Sequence, residues 1–360
     1  MAADARVQTA IVNWAPRFLA NGIDPSDFQR VTARIATWAD WIREWSACGD
    51  MHRAMGEEAE RLGEHESMAY HFFHAAMAYH FAKFLAVEFP EQLRAAHDLA
   101  VASYARALPW FDVPGERMAI PYEDGLTMWG ILRKPAHVAR PPVVILVPGL
   151  DSVKEELHTY ADEFLRRGMA TLAIDGPGQG EMEFERPMRS DYEVVARAAI
   201  DALERRDDLD VSRVGMLGVS LGGYYAPRAA AFEPRIRAVI ALAGPYAVAE
   251  AFDAMPSLTQ EAFIHRSGAV STADAVERLR PFTLAGALQR LTAPLLVIMG
   301  RQDRVIPPHD AERVADEAGG PVTLWMFDEG NHVCNNIPFK HRPQMADWMR
   351  RTLSDSNLAP

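Results

Sequence analysis

The stretch Gly218-Val219-Ser220-Leu221-Gly222 decides how the rest of the chain is interpreted, because it matches the Gly-x-Ser-x-Gly pattern of a nucleophile elbow. The apolar run 214–217 before it is typical of a strand, and the small residues of 223–231 after it favour a helix. A strand, a sharp turn and a helix form the context in which this motif lifts a serine hydroxyl above a sheet. The pentapeptide alone is weak, so the flanking pattern carries the prediction.

Apolar runs alternate with helical segments after residue 142, which predicts a parallel sheet covered by helices. The predicted strands are 143–147, 170–174, 214–217, 236–243, 294–300 and 322–327, and the predicted helices are 154–167, 191–206, 310–318 and 342–353. A hairpin of 116–120 and 126–132 around an Asp-Gly turn precedes them. Residues 250–288 hold helical patches without a strand, and we expect a lid insertion there.

Composition is that of an ordinary globular protein with ample core, at 360 residues, 49% hydrophobic and 24% charged. The net charge of −12 argues against nucleic acid and anionic membranes as partners. No apolar run approaches a membrane span, and the first residues lack a signal-peptide pattern. The two cysteines, Cys48 and Cys334, are far apart and predict neither a disulfide framework nor a metal site. We expect a cytoplasmic protein.

Three side chains follow predicted strands in the order serine, acid, histidine. Asp303 comes after the strand 294–300, and His332 comes after 322–327 in a Gly-Asn-His loop. Groups at the carboxyl ends of parallel strands lie at one edge of the sheet, where ligands bind. We predict that Ser220 is a nucleophile, that His332 takes its proton and that Asp303 holds the imidazole tautomer. The alternative acid, Asp310, is expected to begin a helix.

Stabilising the negative charge that develops on a carbonyl oxygen requires two backbone N–H groups. We predict that Leu221 supplies one and that Leu150, in the loop after 143–147, supplies the other. The segment 175–180, Asp-Gly-Pro-Gly-Gln-Gly, follows another strand. Its Gly-x-Gly is not a dinucleotide fingerprint, because the G-x-G-x-x-G set is incomplete and no helix begins at the right place. We expect a rigid loop near the nucleophile, and no cofactor.

Helical periodicity dominates the first hundred residues. The predicted helices are 31–45, 51–62, 66–89 and 91–108, with a helix start near Asp24. His71, His74 and His80 lie in this region, but no carboxylate or cysteine stands at a spacing that completes a ligand set. We therefore expect packed or solvated histidines and no metal.

These residues together resemble the α/β-hydrolase superfamily, and within it the branch of 2,6-dihydroxypseudooxynicotine hydrolase and related C–C bond hydrolases, which includes fungal pigment-polyketide-shortening hydrolases. The segments that carry the closer resemblance are 149–156, 175–182, 220–223, 345–348, 38–46 and 78–84. Segment 175–180 is also shared with broader esterase-like relatives. The resemblance covers nearly the whole chain. It implies an α/β-hydrolase fold, a mostly parallel doubly wound sheet, with an N-terminal helical cap region at 1–112 and a catalytic domain at 113–360.

The resemblance also implies an activity, the hydrolysis of a carbon–carbon bond next to a carbonyl through an acyl-enzyme. The substrate would be a hydrophobic, aromatic or polyketide-like ketone. A further carboxylic acid is implied about thirty residues after the serine. Glu250 stands at that spacing, with an exposed lid-helix glutamate as the competing interpretation. Tyr224 is a candidate to line the pocket, or it belongs to the core. Cap helices that help cover the pocket, and homodimers, are expected by analogy.

Two other functions stay open at this point. A carboxylesterase, or an acyl-eliminating enzyme of natural-product biosynthesis, would use the same triad, since function depends on the pocket rather than the scaffold. A non-catalytic ligand-binding protein on a hydrolase scaffold is the third alternative. The intact set of three residues counts against it.

Overall fold

The computed structural model describes residues 4–354 and divides into two compact units, Met1–Glu116 and Arg117–Pro360. This division falls a few residues after the domain boundary predicted between 112 and 113. Residues 1–3 and 355–360, which the two predicted domains include at their outer ends, lie outside the described residues.

The first unit is helical. Its helices are α1 (Ala5–Ala20), α2 (Pro25–Thr32), α3 (Trp38–Leu62), α4 (His65–Lys83) and α5 (Pro90–Ala107). The helix α1 was not predicted. The predicted helix 31–45 is wrong, because α2 ends at Thr32 and α3 starts afresh where Thr37 and Asp40 form a capping box. The helix predicted separately at 51–62 is part of α3. The helix predicted to reach residue 89 ends at Lys83, since Leu85 has a φ of 55°.

An aromatic cluster holds three of these helices together. The Phe18 ring on α1 stacks on Phe81 of α4 at a centroid distance of 3.8 Å, and Trp41 of α3 meets Phe18 edge-on at 6.0 Å. Trp41 Nε1 donates to the Phe81 carbonyl oxygen at 2.9 Å, which satisfies the one polar atom of a fully buried indole. Phe18 is therefore central to the packing of α1 against α3 and α4.

The second unit is an eight-stranded sheet with covering helices. Its strands are β1 (Gly115–Pro121), β2 (Thr127–Arg133), β3 (Pro142–Val147), β4 (Ala170–Ile174), β5 (Asp210–Val219), β6 (Ile236–Leu242), β7 (Leu295–Gly300) and β8 (Val322–Phe327). They are ordered β1-β2-β4-β3-β5-β6-β7-β8. All pairs from β4 to β8 are parallel, and β2 pairs with β4 antiparallel. The predicted strands are confirmed, although β5 starts earlier than the predicted 214–217. The apolar runs of β3, β4 and β7 suit strands buried on both faces, whereas the edge strand β8 is only partly buried.

Helices complete this unit. They are α6 (His158–Leu165), α7 (Glu193–Leu203), α8 (Leu221–Ala230), α9 (Val248–Ala251), α10 (Ser257–Arg266), α11 (Thr272–Leu279), α12 (His309–Glu317) and α13 (Pro338–Ser354). The helix predicted from residue 154 starts as a 3-10 turn, Lys154–Leu157, before α6. In the β1–β2 hairpin, Asp124 and Gly125 have φ values of 55° and 74°, as the Asp-Gly turn predicts.

The region between β6 and β7 contains α9, α10 and α11 and corresponds to the predicted insertion. Arg266 at the end of α10 is buried and fastens it to the loop after β4. Its Nη1 donates to the Gly178 carbonyl oxygen at 2.6 Å and pairs with Glu183 Oε2 at 2.7 Å. A buried ion pair of this kind fixes the end of α10 against that loop.

Among residues 4–354, no helix combines the length and the apolar character needed to span a bilayer.

We predict that Phe18→Ala lowers the free energy of unfolding by about 3–5 kcal/mol, because it leaves a cavity in the aromatic cluster. Val12→Ala on the same helix is the matched control, since Val12 is 69% exposed and should change stability little. Urea unfolding followed by circular dichroism measures both. Equal effects of the two substitutions would contradict the central role of Phe18.

Candidate active site

Ser220 sits on a strained turn between β5 and α8. Its φ of 56° and ψ of −121° are rarely adopted by a residue with a side chain and cost about 1–3 kcal/mol. The turn is held by hydrogen bonds on both sides. The Ser220 N–H donates to the Leu242 carbonyl oxygen at 2.8 Å, and the Gly223 N–H donates to the Ser220 carbonyl oxygen at 2.7 Å.

Glycines make this turn possible by allowing close backbone contacts. A Cβ placed on Gly218 would lie 1.7 Å from the Gly222 carbonyl oxygen. A Cβ placed on Gly223 would lie 2.6 Å from the Cα of Gly244. No side chain fits at either position, so the Gly-x-Ser-x-Gly-Gly pattern is a steric requirement of the turn.

The predicted nucleophile, base and acid form a continuous hydrogen-bonded chain. Ser220 Oγ lies 2.9 Å from His332 Nε2, and His332 Nδ1 lies 2.7 Å from Asp303 Oδ2. The Asp303 side chain is fully buried, whereas that of His332 is 19% exposed. An ionised carboxylate can only accept, which places the His332 proton on Nδ1 and leaves Nε2 free to accept from the serine hydroxyl. This is the arrangement in which an imidazole removes a serine proton.

The carboxylate of Asp303 is fixed by its own loop after β7. Its Oδ1 accepts from the N–H groups of Val305 and Ile306 at 2.8 and 2.9 Å, so Oδ2 faces the imidazole. Asp310, the alternative acid, lies in the first turn of α12, where its Oδ2 accepts from the Tyr246 N–H at 2.9 Å. The prediction that Asp303 faces His332, whereas Asp310 lies at the start of a helix, therefore agrees with their contacts.

The backbone of the loop that carries His332 passes very close to the end of β7. A Cβ on Gly300 would lie 2.2 Å from the Gly330 carbonyl oxygen, and that oxygen accepts from the Gln302 N–H at 2.8 Å. After the histidine, Val333 and Cys334 both have positive φ values, 61° and 52°. Such strained residues persist only where their surroundings fix them, which makes the position of the imidazole well defined.

The loop after β3 runs beside the serine. A Cβ on Gly149 would lie 3.0 Å from Ser220 Cβ and 3.5 Å from its Oγ, so this loop passes close to the serine. Leu150 follows directly, and Leu221 is the first residue of α8, where N–H groups have no partner within the helix. The two residues predicted to donate to an oxyanion thus lie on the two backbone segments that approach Ser220 Oγ.

A buried lysine connects this loop to the one after β4. Lys154 Nζ lies within 2.7–2.9 Å of carboxylate oxygens of Asp175, Glu155 and Glu181. Burial alone would lower the pKa of the ammonium, but its three carboxylate neighbours raise the pKa well above the ordinary value. Burial raises the pKa of Glu181, and Lys154 and Arg117 outweigh it, so that pKa is lowered. Lys154 and Glu181 therefore keep their charges at neutral pH, whereas burial raises the pKa of Glu155.

Lys154 lies in a segment that carries the family resemblance, but the sequence pattern predicts no role for it. A lysine followed by two glutamates resembles the start of an exposed helix, and no local pattern reveals that all three are about 2% exposed or less. Only the register of β3 beside β4 brings Lys154 to Asp175. The Lys154 N–H also donates to Asp175 Oδ1 at 2.8 Å.

Glu250 and Tyr224, the two remaining predicted site residues, are not part of the hydrogen-bonded chain that starts at Ser220. The Glu250 side chain on α9 is 63% exposed, and its Oε2 pairs with Arg313 at 2.7 Å, in keeping with the exposed-glutamate interpretation. Tyr224 is fully buried in α8, and its hydroxyl donates to the Ser190 carbonyl oxygen at 2.9 Å. Their roles in binding a substrate stay predictions without contacts to support them.

The helical unit contains ligand-type side chains that spacing along the chain did not reveal. Ligand atoms of Asp27, Cys48 and His52 lie within 4.8 Å of one another, and all three residues are buried. The Arg30 guanidinium hydrogen-bonds Asp27 and lies 3.9 Å from Cys48 Sγ, so a cation already faces them. Burial raises the pKa of Cys48 to about 11, which keeps it a thiol. We assign no metal here, and the absence of a metal at His71 and the other histidines stays a prediction.

The eight-stranded sheet, with a serine on a strained turn after a central strand and a histidine after the last strand, defines an α/β-hydrolase. A solved structure of 2,6-dihydroxy-pseudo-oxynicotine hydrolase matches it with a TM-score of 0.87 and 30% sequence identity, covering 95% of this chain and 96% of that one. The predicted fold is confirmed, and the protein is an enzyme of this class.

Sequence comparison identifies the family. Residues 14–326 match the FrsA-like esterase family, and the chain belongs to it. The 2,6-dihydropseudooxynicotine hydrolase of Paenarthrobacter nicotinovorans is 31% identical over 359 residues, 97% of this chain and 94% of that protein. The 20-hydroxy-prefusarin hydrolase FUS2 of Gibberella moniliformis is 34% identical over 218 residues, 57% of this chain and 52% of that protein. The resemblance inferred from the sequence is confirmed.

We predict that Lys154→Met lowers the free energy of unfolding by about 3–5 kcal/mol at pH 8, because it leaves buried carboxylates without their cation. In the wild type, the lowered pKa of Glu181 contributes stability above its unfolded pKa, and this contribution is lost as the pH falls. Lys154→Met lacks most of this contribution. The difference in free energy of unfolding between the variant and the wild type should therefore shrink below about pH 5, where carboxylates take up protons.

Lys134→Met is the matched control, because Lys134 forms a half-exposed pair with Asp208 that contributes about 1 kcal/mol or less. Urea unfolding at pH 8 and at about pH 4 measures both variants. A Lys154→Met deficit no larger than that of the control would contradict a structural role for the buried cation.

Proposed function

We propose that this enzyme cleaves a carbon–carbon bond next to a carbonyl group, with Ser220 as nucleophile, His332 as general base and acid, and Asp303 as the carboxylate that orients the imidazole. The observation that carries these residue roles is the unbroken hydrogen-bonded chain from Ser220 Oγ through His332 to Asp303 Oδ2. A serine hydroxyl becomes an effective nucleophile only when a base takes its proton during attack.

The first half of the reaction forms an acyl-enzyme. Ser220 Oγ attacks the carbonyl carbon while His332 Nε2 takes the hydroxyl proton, and the N–H groups of Leu150 and Leu221 donate to the oxyanion. Collapse of the tetrahedral adduct re-forms the carbonyl and breaks the bond to the neighbouring carbon. That carbon leaves with the electron pair as an enolate or a phenol-stabilised carbanion and takes the proton from the His332 imidazolium.

The second half releases the acyl group by hydrolysis. Water attacks the acyl carbon while His332 Nε2 takes its proton, and the same two N–H groups hold the second oxyanion. Collapse expels Ser220 Oγ, which regains a proton from His332. The products are a carboxylic acid and the protonated leaving carbon, and the enzyme returns to its starting state without a cofactor.

The likeness along nearly the whole chain to a 2,6-dihydropseudooxynicotine hydrolase supports a hydrophobic, aromatic or polyketide-like ketone as substrate. Ester hydrolysis is the second candidate, because the matching family is described as esterases and the same residues would serve an alkoxide leaving group. A non-catalytic binding protein would need no aligned nucleophile, base and acid. Homodimer formation and a cytoplasmic location remain predictions.

Two substrates of matched size test the reaction type: a hydroxyaryl ketone and a p-nitrophenyl ester, with products followed by mass spectrometry. We expect the ketone to yield an acid and an arene, and Ser220→Ala to lower kcat by about 10⁴-fold or more. Ester turnover with an intact ketone would replace the first candidate by the second. Undiminished turnover by Ser220→Ala would contradict the assignment of the nucleophile.

The role of the acid is tested by Asp303→Asn, which keeps the shape of the side chain but favours the wrong imidazole tautomer. We expect kcat to fall by about 10⁴-fold with folding retained. Asp310→Asn is the matched control and should leave kcat close to that of the wild type, because the Asp310 carboxylate accepts from the Tyr246 N–H and does not contact His332. A larger loss of kcat in Asp310→Asn than in Asp303→Asn would instead assign the orientation of the imidazole to Asp310.

A further inference from the structure

The peptide group between Gly149 and Leu150 is held by a side chain that the mechanism above does not use. Gln179, in the loop after β4, is 1% exposed. Its Nε2 lies 2.7 Å from the Pro148 carbonyl oxygen and 3.1 Å from the Gly149 carbonyl oxygen. One amide NH₂ group thus donates to two successive carbonyls of the loop that passes Ser220.

The orientation of the Gln179 amide is fixed by its other end. Its Oε1 accepts from the Gly176 N–H at 3.1 Å and from the Tyr192 hydroxyl at 3.0 Å. A backbone N–H can only donate, so this end must be the oxygen, and the nitrogen must face the carbonyls of the β3 loop. The Tyr192 ring is itself stacked on Tyr225 at 4.1 Å, which leaves the hydroxyl little freedom to move away.

The contact with Gly149 determines where the next N–H points. The Gly149 carbonyl and the Leu150 N–H belong to one planar trans peptide group, in which the two bonds point in opposite directions. Holding the carbonyl oxygen against Gln179 therefore directs the Leu150 N–H to the other side of the loop.

The close approach of Gly149 to Ser220 increases the importance of this orientation. Because the loop passes so close to Ser220, a rotation of the peptide would turn a carbonyl oxygen, instead of an N–H, towards the reacting carbonyl. An oxygen there would repel the developing oxyanion. Stabilisation by backbone N–H groups is effective only when they are already oriented before the reaction.

We propose that Gln179 is a positioning residue of the oxyanion hole, which holds the Gly149–Leu150 peptide with its N–H available to the tetrahedral adduct formed at Ser220. The inference rests on the proposed function, and it assigns a role to the glutamine of the Asp-Gly-Pro-Gly-Gln-Gly segment. Gln179 touches neither the substrate nor the reacting atoms. It acts through the backbone of Leu150.

The test is the rate at which a fluorophosphonate labels Ser220, measured by intact-mass spectrometry, because the phosphoryl oxygen of the probe needs the same N–H groups. We expect Gln179→Met to slow labelling by about 10- to 100-fold, and to lower kcat for the better of the two substrates by a similar factor with little change in KM. Thermal unfolding of each variant shows whether it folds.

Gln260→Met is the matched control. Gln260 Nε2 also donates to backbone carbonyl oxygens, those of Phe252 and Met255 at 3.0 and 3.2 Å, but in the insertion between β6 and β7. We expect its labelling rate to stay close to that of the wild type. If both substitutions slow the labelling of Ser220 equally, the cause is a general loss of packing, and the inference is overturned.

Gln179→Glu supplies a readout that a loss of packing would not change. The new side chain keeps an acceptor for Gly176, and in its acid form it can donate one hydrogen bond to the Gly149 carbonyl oxygen. In its charged form it repels that oxygen. The labelling rate relative to the wild type should therefore rise as the pH falls, whereas a ratio independent of pH would overturn the inference.

The two proposals fail in different ways. Wild-type protein that the probe does not label at Ser220 would contradict the nucleophile and with it the proposed function. Labelling of the wild type at Ser220, with folded Gln179→Met labelled within about twofold of that rate, would leave the proposed function intact and remove the role of Gln179.

Discussion

The backbone conformation of Ser220 is the constraint on which the α/β unit depends. A residue with a side chain at φ 56° is disfavoured, and the strain persists only because hydrogen bonds and close glycine contacts fix the turn from both sides. Gly218 and Gly223 let β5, α8 and the end of β6 approach more closely than any Cβ would allow. The stability of the parallel sheet, whose central strands β3, β4 and β7 are fully buried, offsets this local cost.

Strain is concentrated around the same edge of the sheet. Of the six non-glycine residues with positive φ among residues 4–354, four lie at or beside the site: Ser220, Ala243, Val333 and Cys334. Each follows a strand or a catalytic candidate, where the chain turns sharply to present a side chain. The buried network of Lys154 and the amide of Gln179 serve the same edge, because they join the loops after β3 and β4. A rigid frame of this kind is what preorganised stabilisation of an oxyanion requires.

The sequence allowed most of the α/β unit to be predicted, and the reason is local. Strands 170–174 and 322–327 are mostly apolar runs bounded by turn residues, so their limits agree with β4 and β8. Ser220, Asp303 and His332 could be grouped because each follows a strand, and parallel strands bring their carboxyl ends together. The positions of these residues directly after strands are therefore enough to predict that they lie close together at this edge.

The remaining features depend on contacts between residues far apart in sequence. The break between α2 and α3 is set by the capping box at Thr37, which periodicity alone did not separate from a continuous helix. The grouping of Asp27 with His52 arises from helix packing, and spacing arguments missed it. Glu250 was proposed from its distance to the serine along the chain, yet its side chain is exposed and paired with Arg313. The roles of Lys154 and Gln179 follow only from the register of neighbouring strands.

The most direct test of the account is to identify the acylated residue during turnover. Wild-type enzyme is quenched with acid while it converts the ketone, or the ester if only that is a substrate, and its peptides are mapped by mass spectrometry. The account predicts an adduct with the mass of the acyl group on the peptide that contains Ser220. Turnover with the acyl group on another residue, or with Ser220 unmodified throughout, would contradict it.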